Sequence, residues 1–212
     1  AYYSYVTSQQ IYNQSEIGEA GSIVALSFYY NGDTETGNRT IDIYLSHTSA
    51  ETFASTTAWI AQEASHKVFS GSVNFQPAVW TTIYLNTPFT YDGASNLLLS
   101  VSDNTGEATI NSSKSFRTYS TGSYRALYYR SDDGNQDLTS PASAGTRSRY
   151  NDQLIVTKAA SGDIEALSVS PSILSGFTYP QGEGPSDTQS IALVASVIND
   201  IAVNAPEHFE VA

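Results

Sequence analysis

From Thr40 to Ser46 the chain reads TIDIYLS, placing Ile41, Ile43 and Leu45 on one face of an extended segment and Asp42 and Tyr44 on the other. A period of two belongs to a strand with one face in a core and the other toward water. Val68 to Phe75 and Trp80 to Leu85 repeat it, and Ser22 to Tyr30 (SIVALSFYY) is a β-branched and aromatic run suited to a sheet. Asn96 to Ser102, Ser123 to Arg130 and Gln153 to Lys158 complete the set. Turns fall between them at Asn31-Gly32-Asp33, Tyr91-Asp92-Gly93, Asp103 to Gly106 and Asp133-Gly134-Asn135, each offering Gly or Asn where φ must turn positive. The pattern predicts an all-β, jelly-roll-type antiparallel β-sandwich of eight or nine strands over residues 1–158. One stretch departs from it: Ser49 to Ala64 (SAETFASTTAWIAQEA) is Ala-rich and sets Phe53, Trp59 and Ile60 near one helical face. It predicts one short helical insertion.

The whole chain has 212 residues, 9 Lys+Arg against 21 Asp+Glu, a formal net charge of -12, 15 Tyr, and no Cys or Met. No apolar run reaches the roughly 20 residues of a membrane-spanning helix. The acid excess argues against a nucleic-acid partner, which needs a basic face to release counterions. Without Cys there is neither a disulfide nor a thiolate metal site. Lacking both oxidisable sulfur residues, the chain reads as an extracellular or cell-surface protein. Its start at Ala1, without Met, reads as a processed or excised piece.

Charge also divides the chain. Residues 159–212 hold seven acids and no Lys or Arg, and the stretch 159–163 is small and polar, as linkers are. Ile164 to Ser170, Gly176 to Tyr179, Ser190 to Ser196, Asp200 to Ala205 and Phe209 to Val211 are strand-like. Residues 164–212 therefore read as a partial Ig-like β domain, since a complete sandwich of that class takes about 100 residues. Such a partial sheet invites a strand from a neighbour.

Several runs resemble a module of large secreted proteins. They are Gln10 to Gly18, Arg39 to Thr48, Val68 to Val73, Trp80 to Leu85, Pro88 to Leu97 and Ser102 to Gly106. The resemblance is to the jelly-roll β-sandwich modules of adhesin-type, secreted or surface-displayed proteins of Bacteroidetes. Val169 to Tyr179, Gly184 to Ser186, Gln189-Ser190, Ala205-Pro206 and Phe209 to Val211 are similar to the start of a second, Ig-like module of the same proteins. The resemblance implies fold and an extracellular setting, often by the type IX route. It brings no catalytic set.

The chemistry-bearing residues are sparse. No Gly-x-Ser-x-Gly elbow occurs, and His47, His66 and His208 lie far apart, as surface or strand-end residues do. A glycosidase needs two facing carboxyl groups, and the nearest candidate, Glu16-Ile-Gly-Glu19, sits in an expected loop. The chain reads as no enzyme. Asp133, Asn135 and Asp137 offer oxygen ligands at alternating positions, with Asp132 adding charge, as the first part of a Ca2+ loop does. Leu138 stands where an EF-hand-type loop needs Gly and no Glu closes the loop, so the alternative is an acidic, solvated hairpin. Asp33 with Glu35, and Asp103, Asn104 and Glu107, are weaker versions. Finally, Tyr119, Tyr124 and Tyr128 cluster in sequence with Arg117, Arg125 and Arg130, a composition that stacks on sugar rings or anchors protein contacts.

These features together describe a non-catalytic extracellular module for adhesion, spacing or weak glycan or protein binding. A second reading is a subunit of an extracellular filament, built from identical subunits by strand donation with Ala1 to Gln9 as donor. A remote third is a carbohydrate-active enzyme.

Overall fold

A computed structural model describes residues 3–108 and 115–159, together with the backbone of 167–170 and 192–195. The chain divides into two compact units, Ala1–Lys158 and Ala159–Ala212. In the first, β1 (Tyr5–Tyr12) leads to a single helical turn, α1 (Gln14–Ile17), then to β2 (Gly21–Tyr29), β3 (Asn38–Thr48), β4 (Lys67–Asn74), β5 (Trp80–Tyr91) and β6 (Asn96–Asp103). The short strands β7 (Thr118–Ser120), β8 (Ala126–Ser131), β9 (Thr146–Ser148), β10 (Tyr150–Asp152) and β11 (Leu154–Lys158) follow. In the second unit β12 (Leu167–Ser170) pairs antiparallel with β13 (Ala192–Ala195). The other strands expected beyond residue 164 lie outside the described residues.

The sandwich is antiparallel and all-β. One sheet has six strands in the order β4-β3-β6-β1-β8-β9, the other three in the order β11-β2-β5, and β10 pairs with β7. The alternation read from residues 40–46 sets which face is buried. Ile41, Ile43 and Leu45 of β3 and Leu97 and Leu99 of β6 point inward against Ile23, Leu26 and Phe28 of β2 and Ile83 of β5. Most of these side chains are wholly enclosed, and each contributes roughly 1.5–3 kcal/mol of burial. The run expected to end at Leu85 continues to Tyr91. The register slips between the Ala25–Tyr84 and Ile23–Phe89 pairs. Pro88, which has no N–H to donate, lies in the slipped part of this edge strand.

Two expectations are corrected. Residues 49–63 form no helix; a three-residue 3-10 turn at Ala64–His66 follows them. Their backbone N–H groups find partners elsewhere instead of four residues back. Phe53 N donates to Tyr124 O at 2.8 Å and Gln62 N to Leu138 O at 2.8 Å. The segment lies extended across the outer face of the six-stranded sheet. There Phe53 packs with Ile11, Leu98 and Leu127, flanked by Trp59 and Ile60. That burial outweighs the weak helix propensity of a Ser- and Thr-rich run.

The second correction concerns the amino-terminal segment. Tyr5 to Tyr12 is not a spare donor strand but an interior strand of its own sheet, hydrogen-bonded to β6 on one side and β8 on the other. Both of its edges are used, so residues 5–9 have no free ladder to offer a neighbour.

Candidate functional site

The six-stranded sheet is broader than the three-stranded sheet that covers it. Its inner face over β3 and β6 is apolar around Leu45, Leu97 and Leu99, while Arg39, Ile41, Ile43, Val101 and Asp103 reach the cleft. Its inner face over β1 and β8 carries Ser8, Gln10, Tyr128 and Arg130 and lines a cleft of about 670 Å3, within the ~300–1,000 Å3 range of ligand pockets. Phe116, Thr118, Tyr150 and Asp152 line it as well. Register orders the floor into rows. Asp103, Val6 and Arg130 form one row, Val101, Ser8 and Tyr128 the next, and Leu99, Gln10 and Ala126 the third.

At the Gln10 end a polar clasp joins strands that lie far apart in sequence. Gln10 Nε2 donates to Asp152 Oδ2 at 2.6 Å, and Asp152 N donates to Gln10 Oε1 at 2.7 Å. Tyr12 Oη donates to the Asp152 carbonyl at 2.9 Å and lies 3.0 Å from Gln10 Oε1. Burial pushes the Asp152 carboxyl above the ordinary carboxylate range, and the Gln10 amide offsets this only in part. Tyr12 is pushed up in turn, by its own burial and then by the Asp152 charge.

At the opposite end the cation is neutralised inside the fold. Arg39 donates through Nε and Nη2 to Asp103 Oδ2 at 3.0 and 2.7 Å, and through Nη1 to Glu107 O at 2.9 Å. Asp103 Oδ1 accepts from Thr105 N and Oγ1 at 3.1 and 2.6 Å. Asp103 and Asp152 are the acidic residues of the cleft lining. They stand level with Val6 and Gln10 of β1, four residues or ~13 Å along the strand at about 3.3 Å each. As a backbone offset this is wider than the ~5–9.5 Å between the carboxyl groups of glycosidase pairs.

The predicted aromatic and arginine cluster is distributed over separate places. Arg117 stacks 3.5 Å above the Tyr29 ring. Arg125 is buried and ion-paired with Glu16, to which Tyr119 Oη also donates at 2.5 Å. Burial raises the Glu16 carboxyl, but the bonds from Arg125 and Tyr119 outweigh it and hold the group below its ordinary range. Tyr124 lies under Arg147 and Arg149, whose guanidinium carbons are 4.2 and 4.7 Å from its ring centroid. Of the predicted residues, Tyr128 and Arg130 enter the cleft, stacked at 4.4 Å. Residues 126, 128 and 130 share the inner face of β8 because a strand alternates. Ser8, Gln10, Tyr150 and Asp152 were not read as site residues from the sequence; the signals available were the polar run SQQ and the isolated acid in YND.

Of the residues read as a calcium loop, Asn135 and Asp137 have side-chain partners of their own, and Asp133 is bonded through its backbone. Asp133 N donates to Ser131 Oγ at 3.0 Å. Asn135 accepts from Thr7 Oγ1 at 3.0 Å and donates to Asp103 O and Asn104 Oδ1 at 2.6 and 2.7 Å. Asp137 Oδ1 accepts from Thr139 N and Oγ1, both at 2.8 Å, bonds that hold its carboxyl below the ordinary range. Among the described residues, no three His, Asp or Glu side chains gather around a common point, and no helix is long and apolar enough to cross a membrane. Of the weaker sites, Glu35 accepts from Asn74 and Gln76 at 2.7 and 3.0 Å. His47 Nε2 accepts from Asp92 N at 3.1 Å and His66 Nδ1 from Glu63 N at 3.1 Å, the structural uses expected of isolated imidazoles. Comparison of the chain with protein-family models, with curated proteins and with solved structures finds no match in any of the three.

Proposed function

We propose that this protein is a non-catalytic binding module of a secreted or surface-displayed protein, and that the cleft over β1 and β8 takes a short saccharide. The observation that carries the reading is the composition of the half-covered floor. Tyr128 and the 58% exposed Tyr150 supply ring faces, while Ser8 and Ser148 supply hydroxyls. Sugars present apolar ring faces and a rim of hydroxyls, and this is the lining they require. The Gln10–Asp152 clasp holds the wall in place before any ligand arrives, which lowers the ordering cost of binding. Asp103 is tied into an ion pair with Arg39, and the register sets its position four residues along β1 from that of Asp152, which supports binding over glycoside cleavage. The absence of Cys and Met supports an extracellular setting.

Titration with a panel of neutral and acidic oligosaccharides, followed by calorimetry and by NMR shifts of the cleft residues, tests the reading. Micromolar to millimolar binding that Tyr128→Ala and Tyr150→Ala weaken is the expected result. The same affinity with and without chelator would leave calcium out of binding, and a melting temperature unmoved by millimolar Ca2+ would remove the Asp133–Asp137 site. Absence of shifts in the cleft across the panel, with shifts on adding a candidate surface protein instead, would replace the saccharide with a protein partner.

A further inference from the structure

The geometry points to a carboxylate-bearing sugar, a uronic acid unit, as the ligand class of this cleft, with the guanidinium of Arg130 as its receptor. The inference rests on the saccharide reading above and sharpens it.

Two arginines line the cleft, and the fold treats them differently. Arg39 is buried and paired with Asp103. Arg130 sits on the same row of the floor with Val6 between it and Asp103. Two strand spacings of about 4.8 Å separate their backbones by roughly 10 Å, and the Asp103 oxygens are already occupied. Among the described residues no carboxylate stands within ion-pair distance of Arg130, and the partner of its side chain is the face of Tyr128. Arg117, Arg147 and Arg149 also rest on tyrosine rings, but of these ring-bound arginines Arg130 is the one that lines the cleft.

Among the described residues no hydrogen bond or ion pair engages the Arg130 guanidinium, which leaves its N–H donors for a ligand. Those donors form a rigid fork that matches a carboxylate at two points. Tyr128 holds the guanidinium carbon 4.4 Å from its ring centroid, and Ser8 lies beside Tyr128 on the next strand with a hydroxyl for the neighbouring sugar oxygen. A uronate fits this arrangement. Its ring lies on the aromatic part of the lining and its carboxylate meets the fork. A sulfate or phosphate ester also meets such a fork at two points, so a sulfated tetrasaccharide that binds more tightly than either uronate would overturn the choice of a carboxylate.

The test compares ligands that differ in charge and little else. Oligogalacturonate and oligomannuronate tetramers are titrated calorimetrically against their methyl esters and against neutral tetrasaccharides, at low and at high salt. At least one acid form is expected to bind about tenfold or more tightly than its ester, since bonds to a charged group are the stronger class, and to weaken with salt. Arg130→Gln should erase the difference between acid and ester, and Arg130→Lys should restore part of it, since it keeps the charge without the fork. Arg130 is exposed at a strand end, and an unchanged melting temperature verifies that both variants fold. Equal binding of acids and esters, binding of neutral sugars alone, or an Arg130→Gln variant that keeps the acid preference would overturn the inference and leave the saccharide reading standing. Binding of no sugar in any arm would overturn both.

Discussion

Gln10 and Asp152, separated by 142 residues of sequence, grip each other through two hydrogen bonds, amide to carboxylate at 2.6 Å and backbone N–H to amide oxygen at 2.7 Å. The pair ties β10 to the inner face of β1 and so sets one wall of the cleft. It also creates a pH dependence of definite sign. Burial raises the Asp152 carboxyl in the folded chain, so the folded state holds this proton more tightly than the unfolded state does. Stability from this group is therefore greatest below the unfolded carboxylate range and declines as pH rises toward the folded value. Asp152→Asn keeps an oxygen for Gln10 and removes the charge. We expect that variant to match or exceed the wild type in urea denaturation at pH 7 and to lose the decline, while Gln10→Ala should cost about 2–3 kcal/mol by leaving buried groups unpaired.

The Glu16–Arg125 pair runs the other way. Its side chains are 28% and 7% exposed, and Glu16 is held below its ordinary range. The stabilisation is complete above the unfolded carboxylate range and disappears as pH falls through the folded value. Glu16→Gln should destabilise by about 2–3 kcal/mol at pH 7, because it strands a buried guanidinium. Near pH 3 the difference from wild type should shrink. An unchanged gap between the two denaturation curves across that range would refute this account.

Gly93 is required by both its backbone and its surroundings. Its φ is 72°, and a Cβ there would stand 2.4 Å from the backbone N of Ala20. Asp92 braces the same turn: hydrogen bonds from Ser95 and Ala94 draw its carboxyl down to about 2. Gly93→Ala should lower the melting temperature by the equivalent of about 1–3 kcal/mol. The control Gly37→Ala, also at positive φ but with open space around it, should cost less.

Phe53 tests the outer layer. If residues 49–63 are a packed cover, Phe53→Ala empties an enclosed site against Ile11, Leu98 and Leu127 and costs about 3–5 kcal/mol. The far-ultraviolet circular dichroism of the wild type should show no contribution from a helix of that length. A cost below 1 kcal/mol would mean that the segment does not cover the sheet.

β3 and β4 were legible because one face of each meets the core and the other is largely polar, so alternation survives in the residue pattern; β2 and β6, enclosed on both faces, were legible as apolar, strand-forming runs. β1 was not legible, for the opposite physical reason. It is covered on both faces, yet three of its enclosed side chains, Thr7, Gln9 and Gln10, are polar. Their partners come from distant segments. Gln9 donates to Ile60 O at 2.6 Å and accepts from Ile60 N at 2.9 Å, which pins the outer layer to the sheet. No local pattern announces such a strand. The stretch 49–64 misled through its Ala content, because propensity is a weak prior wherever backbone groups find tertiary partners.

The candidate site divides along the same line. Tyr128 and Arg130 were visible as members of an aromatic and basic run, but alternation sends them into the cleft while their sequence neighbours go elsewhere. The residues facing them, Ser8, Tyr150 and Asp152, come from both ends of the first unit. Period-two patterning, turn residues and composition were enough to establish an all-β sandwich, because those signals arise from each strand's own faces. Which strand lies beside which, how far one sheet overhangs the other, and hence which side chains line the cleft were decided by long-range pairing, whose partners leave no mark on the local sequence.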